Sequence, residues 1–214
     1  MVLKERNKSN NVELSTQDLQ HFLGGFEEDD YRVESIWSIE IALALRHFGC
    51  EWVKFLTTYK GVRKTYQTLS FYEKDFCEDC PRVERAFEKA STHDVEVVEQ
   101  SLRNEDMERL VERSEVALIV LVDKCVLENG YFEDGAVVGV EKYKNTWHPD
   151  GSFVGHYVVV VGVIGDFFII NDPARESVFR VKKSVIHEAR RRFGTDEDIV
   201  VVARNKNGGY VRVS

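Results

Sequence analysis

Gly155-His156-Tyr157-Val158-Val159-Val160-Val161-Gly162-Val163-Ile164-Gly165-Asp166-Phe167-Phe168-Ile169-Ile170-Asn171-Asp172-Pro173 decides the reading of this chain. Two apolar, β-branched and aromatic runs, Val154–Val163 and Phe167–Ile170, flank Gly165-Asp166, a pair suited to a tight turn. That pattern predicts an antiparallel hairpin. A hairpin centred near residue 164 sets positions 156 and 172 nearly opposite each other. Their Cβ atoms would then lie ~5 Å apart, or ~7–8 Å on the diagonal. A carboxylate at Asp172 could hold one imidazole nitrogen of His156 and leave the other free to take a proton. Asn171 is the alternative orienting group. Side chains alternate along a strand, so only one of the two should face His156.

Around the hairpin, the apolar run Val116–Val122 predicts a strand buried on both faces. Cys50–Thr57, Val95–Val98 and Ile199–Val202 predict further strands, and Tyr210–Val213 a possible edge. Ser35–Gly49 is apolar almost all round and predicts a buried helix, capped by Ser35 or Ser38 and ended by Gly49. Pro81–Ala90, Glu105–Arg113 after an Asn104 cap, and Ser184–Phe193 before Gly194 predict three more helices. A short helix after Ser15 should end at Gly24-Gly25, and Asp123–Asp150 reads as loop. The expected fold class is α+β: one domain over residues 12–214 behind a disordered 1–11.

The composition narrows the functions. The 214 residues are 43% hydrophobic with three prolines, which suits a single core without an internal linker. The net charge of −8 argues against nucleic acid as a partner, because phosphate binding needs clustered Lys and Arg. The one basic cluster, Lys182, Lys183 and Arg190–Arg192, reads as a solvated face. The polar N-terminus has no apolar signal core, and the longest apolar runs fall well short of the ~20 residues of a membrane span. A cytoplasmic or nucleocytoplasmic protein is expected, with Cys50, Cys77, Cys80 and Cys125 as free thiols. Cys77 and Cys80 form a C-x-x-C pair in what reads as a polar loop before Pro81, with no second pair to complete a zinc site. No metal and no cofactor are expected.

The nucleophile is the missing member of the His156 constellation. A reactive thiol is activated at a helix N-terminus. The buried helix carries no Cys before Cys50, beyond its far end, and Cys125 follows a buried strand. The acids of Thr195-Asp196-Glu197-Asp198, between helix and strand, read as solvated or capping.

Six segments together resemble one family, the guanylyl cyclase domain-containing proteins. They are Ser35-Ile-Trp-Ser-Ile-Glu-Ile-Ala42, Leu45-Arg-His-Phe-Gly49, Ser70-Phe-Tyr-Glu-Lys74, Gly155-His-Tyr-Val-Val159, Asn171-Asp-Pro-Ala174 and Glu188-Ala-Arg190. A seventh, Phe193-Gly-Thr-Asp-Glu-Asp-Ile199, is the most specific. The resemblance spans residues ~30 to ~204. It implies a fold similar to C39-like peptidases, a papain-like group. His156 then matches the family's catalytic-type His, and Asp172 or Asn171 its third member. The family's Trp-Asp-Cys-Gly-x-Ala-Cys helix has no counterpart here, so the resemblance implies a chain lacking its N-terminal core helix and its nucleophile. Without that helix, Val116–Val122 and the hairpin should expose apolar surface.

Three functions compete. One is a cysteine-hydrolase-like domain acting on a peptide or isopeptide bond, inactive as it stands. The second takes the family name literally, converting GTP to cyclic GMP. The third is a non-catalytic peptide-binding module. A peptide or protein is the expected partner in the first and third; the oligomeric state is left unassigned.

Overall fold

The structure, a computed structural model, describes residues 13–14, 22, 35–113, 115–128, 130–133, 136–137, 153–175, 178–203 and 212–213. The expected disordered 1–11, most of the helix after Ser15 and most of the 123–150 segment lie outside them. The strands are β1 Glu13–Leu14, β2 Trp52–Thr57, β3 Val95–Glu99, β4 Val116–Asp123, β5 Tyr131–Glu133, β6 Ala136–Val137, β7 Gly155–Ile164, β8 Phe167–Asn171, β9 Val178–Lys182, β10 Ile199–Ala203 and β11 Arg212–Val213. The helices are α1 Ser38–His47, α2 Ser70–Glu73, α3 Phe76–Lys89, α4 Asn104–Val111, α5 Lys124–Glu128 and α6 Lys183–Ala189.

Nine strands form one sheet in the order β3-β2-β10-β4-β7-β8-β9-β5-β6. Only β2 and β3 run parallel; the other seven junctions are antiparallel. β1 and β11 pair with each other in a separate parallel ribbon, so the C-terminal strand does not extend the main sheet. The molecule is α+β, as its sequence pattern predicts.

Alternation along the strands sends side chains to two cores. Leu118, Val120 and Val122 of β4, Val158 and Val160 of β7, and Ile199 and Val201 of β10 pack with Met107, Leu127 and Ile186 from α4, α5 and α6. On the other face, Val200 of β10 and Phe55 of β2 pack with Ile39 and Leu43 of α1 and Val83 of α3. Helices thus cover both faces at the centre of the sheet. The expected exposure of Val116–Val122 does not occur: Leu118, Val120, Leu121 and Val122 are all buried. The hairpin is exposed only on one face, where Val161 stands at 40% and Val178 of the adjoining β9 at 58%.

Several local expectations are corrected. The α1 N-cap is Trp37, not Ser35 or Ser38; its backbone N–H donates to Glu40 Oε2 at 2.8 Å, half of a capping box. α3 begins at Phe76, so Cys77 and Cys80 are helical rather than in a loop, and Pro81 lies inside the helix. α6 ends at Ala189, and Gly194 takes φ +117° several residues later. The Val178–Lys182 strand was not anticipated.

The basic cluster is a solvated face only in part: Lys182, Arg191 and Arg192 are exposed, whereas Arg190 and Lys183 are drawn into ion pairs. Arg190 is fully buried; its guanidinium bonds Glu197 Oε2 at 2.8 Å and the Leu102 carbonyl. Lys183 pairs with Glu108 at 2.8 Å and Arg192 with Asp123 at 3.3 Å. Burying a charge is tolerated only when it is paired and hydrogen-bonded. Arg190→Ala leaves Glu197 short of its buried partner and should cost about 3–5 kcal/mol. Chemical denaturation measures this; a loss below about 1 kcal/mol, the scale of exposed pairs, would contradict the packing described.

Candidate functional site

His156 is the second residue of β7, and Asp172 follows the last residue of β8. A bulge at Val161 shifts the hairpin register between Val160 and Gly162. Val159 therefore pairs with Asn171, which places Asp172 diagonal to His156 rather than opposite it. The diagonal is still within reach. His156 Nε2 and Asp172 Oδ1 are 2.7 Å apart. Asp172 is buried, and Oδ1 also accepts the Ala174 backbone N–H at 2.9 Å, while Arg175 Nε lies 3.8 Å from Oδ2. A carboxylate acceptor requires the proton on Nε2, which leaves Nδ1 as the basic nitrogen. Asn171 is exposed and on the opposite face, so of the two candidate orienting groups only Asp172 meets the imidazole.

His156 lines a cleft of about 440 Å³ at the N-terminus of α1. Ser35, Trp37 and Ser38 form one wall; Tyr66, Phe71 and Tyr72 form another. The aromatic wall explains two glycines. A Cβ on Gly155 would meet the Phe71 ring at 2.8 Å, and one on Gly194 the Phe153 ring at 2.7 Å. Phe153 in turn packs edge-on against Phe71 and stacks on Tyr72. Any side chain at either position would clash with this aromatic wall and force it to shift.

The α1 wall is held by buried charge. Arg82 bridges Glu40 and Asp79, with Nη2 2.5 Å from Asp79 Oδ1. Asp79 Oδ2 accepts the Trp37 indole N–H at 2.8 Å and the Ser35 hydroxyl. Burial raises the Glu40 carboxyl to about 6 against the opposing pull of Arg82. Ser35 and Ser38 thus serve the cleft wall rather than the cap: Ser38 Oγ lies 3.1 Å from the buried Tyr157 hydroxyl.

The Thr195–Asp198 turn forms the floor. Its acids are not solvated, contrary to the sequence expectation. Asp196 and Glu197 have φ of +46° and +54°, a left-handed backbone that short acids such as Asp enter more readily than most residues. Asp196 Oδ1 accepts Arg63 Nε at 2.8 Å and the Tyr66 hydroxyl at 2.7 Å. Asp198 is pushed up to about 7, chiefly by burial, with the nearby Ser38 and Thr57 hydroxyls favouring the anion only in part. Sequence reasoning missed Trp37, Tyr66, Asp79 and Asp198 as parts of one site, because they come from four separate segments.

None of the four cysteines is in a disulfide, and none lines the cleft among the described residues. Cys125 is the one whose strand neighbours the histidine. It follows β4, whose Val122 pairs with His156, and its backbone N–H donates to Asp123 Oδ1 at 3.0 Å in the first turn of α5. Cys50 and Cys80 are both held above the usual thiol range by burial.

Asp198 makes the fold pH-dependent. Its folded-state pKa lies above the unfolded value, so its contribution to stability is complete below the unfolded carboxyl range and is lost as pH rises through about 7. Denaturation midpoints of the native chain should fall between pH 5 and pH 8, and those of Asp198→Asn should fall less. Parallel pH profiles for the two proteins would contradict this assignment.

Among the described residues no helix is long and apolar enough to cross a membrane. No solved structure matches the chain. Guanylyl cyclase 1 of Arabidopsis thaliana is 30% identical over 181 residues, which is 81% of this chain but 64% of that protein, so the chain spans less than two thirds of its relative's length. The sequence model of the guanylylate cyclase family matches residues 1–202. The chain belongs to the guanylylate cyclase family.

Proposed function

We propose that the cleft is a papain-like, cysteine-hydrolase-type site that takes an extended peptide and supplies the general-base half of the chemistry. The observation carrying this is the 2.7 Å contact between His156 Nε2 and the buried Asp172 carboxylate at the edge of an aromatic-walled cleft. In such a site the carboxylate fixes the tautomer, and Nδ1 takes the proton of a nucleophile attacking a carbonyl. No thiol lines the cleft among the described residues, so this chain by itself binds the peptide without cleaving it. Ser38 does not substitute as nucleophile, because its hydroxyl is engaged by the Tyr157 hydroxyl at 3.1 Å.

The relative's name suggests the second reading, cyclisation of GTP. One observation favours it: Asp196 and Asp198 both line the cleft two residues apart, a spacing compatible with a pair of metal-binding carboxylates. Their chemistry does not fit that role. Asp196 Oδ1 already holds Arg63 and Tyr66, and Asp198 is protonated below about pH 7. The described lining residues also include four aspartates and no Lys or Arg to meet a triphosphate.

The test pairs two ligands on one protein. An extended acetyl-tetrapeptide amide should shift the NMR signals of the Trp37 indole and the His156 ring, and His156→Ala should weaken its binding roughly tenfold, about 1.4 kcal/mol. GTP with Mg²⁺ or Mn²⁺ should shift neither signal and yield no cyclic GMP. Cyclic GMP formation that is lost in Asp196→Asn and kept in His156→Ala would overturn the hydrolase-type reading in favour of the cyclase.

A further inference from the structure

Cys77 and Cys80 sit one turn apart on α3, with Cys77 exposed and Cys80 half-buried against the α1 core. Helical residues three apart have Cα atoms roughly 5 Å apart, inside the 4.4–6.8 Å range that a disulfide accepts. Their Cβ atoms, about 5–6 Å apart in a regular helix, must close by roughly 1–2 Å to reach bonding distance. The sequence supplies the slack. Pro81 is the fourth residue after Cys77 and has no N–H, so the Cys77 carbonyl lacks its helical donor and this turn is held less tightly than the rest of α3.

We propose that Cys77 and Cys80 form a reversible dithiol–disulfide site for low-molecular-weight disulfides of the glutathione class, coupled to the cleft through Asp79. The exposed Cys77 thiolate attacks one sulfur of the small disulfide and expels the other half as a thiol. Cys80 then displaces the second thiol and closes the bridge. Two cysteine S–H groups are oxidised to one S–S bond, the small disulfide is reduced to two thiols, and the two cysteine protons end on those thiols. Asp79 lies between the two cysteines, and its carboxylate holds Trp37 Nε1, the Ser35 hydroxyl and Arg82. Tightening the turn displaces that carboxylate and therefore the two cleft-wall residues it anchors. The coupling holds whichever reaction the cleft supports.

The experiment equilibrates the chain in mixtures of reduced and oxidised glutathione, quenches it by alkylation and reads it by intact mass and peptide mapping. The expected product is an internal Cys77–Cys80 bridge whose fraction follows a two-electron dependence on the thiol ratio, with Cys50 and Cys125 still alkylated. Cys80→Ser should stop at a mixed disulfide on Cys77. Oxidation should also move the NMR cross-peak of the Trp37 indole N–H, and in Cys77→Ser the same buffers should leave that peak in place. Absence of the internal bridge at every ratio, or its formation without movement of the Trp37 peak, would overturn the proposal.

Discussion

The register of β7 against β4 and β8 is the constraint on which the rest of the site depends. A one-residue slip along a strand sends every side chain to the opposite face. Here both faces at the sheet centre are committed, one to α4, α5 and α6 and the other to α1 and α3. A slip of β7 would expel Val158 and Val160 from the first core, so the register is strongly specified. His156 inherits its place from that register, paired with Val122. The bulge at Val161 then sets where the return strand ends and brings Asp172, not Asn171, to the imidazole.

The cleft is built from polar groups that would be costly if any partner were removed. Glu40, Arg82 and Asp79 form a buried charge cluster, and Arg190 with Glu197 forms another below the Thr195–Asp198 turn. Such clusters add little net stability compared with apolar packing, but breaking one is severe. Their effect is geometric. Trp37 and Ser35 are held by the buried Asp79 and Asp196 by the buried Tyr66, which gives the cleft a fixed shape around His156.

Much of the fold is legible in the sequence, because apolar periodicity reports burial directly. β4, β10, α1 and the hairpin follow from runs such as Val116–Val122 and from the Gly165-Asp166 turn. The meeting of His156 with Asp172 is expected from the hairpin too, but as an opposite pair; the Val161 bulge, which the sequence does not announce, makes it a diagonal one. Much of what was misread involves charged residues. Val178-Phe-Arg-Val-Lys182 alternates as a strand should, yet its two cations and short length hid it. Arg190 looks like a surface residue in one dimension; only Glu197, on the far side of a turn, and the distant Leu102 carbonyl make its burial possible. Pro81 misled in a different way, since it suggests a helix start and instead sits in the second turn of α3, where its missing N–H is tolerated.

The account centres on an imidazole whose Nε2 proton is held by Asp172 while Nδ1 stays basic. Nitrogen-15 NMR of the His156 ring, recorded at a pH where it is neutral, measures this directly. The account predicts a protonated Nε2 and an unprotonated Nδ1 in the native chain, with that preference lost in Asp172→Ala. A native chain with its proton on Nδ1, or a tautomer unchanged by removing the carboxylate, would contradict it.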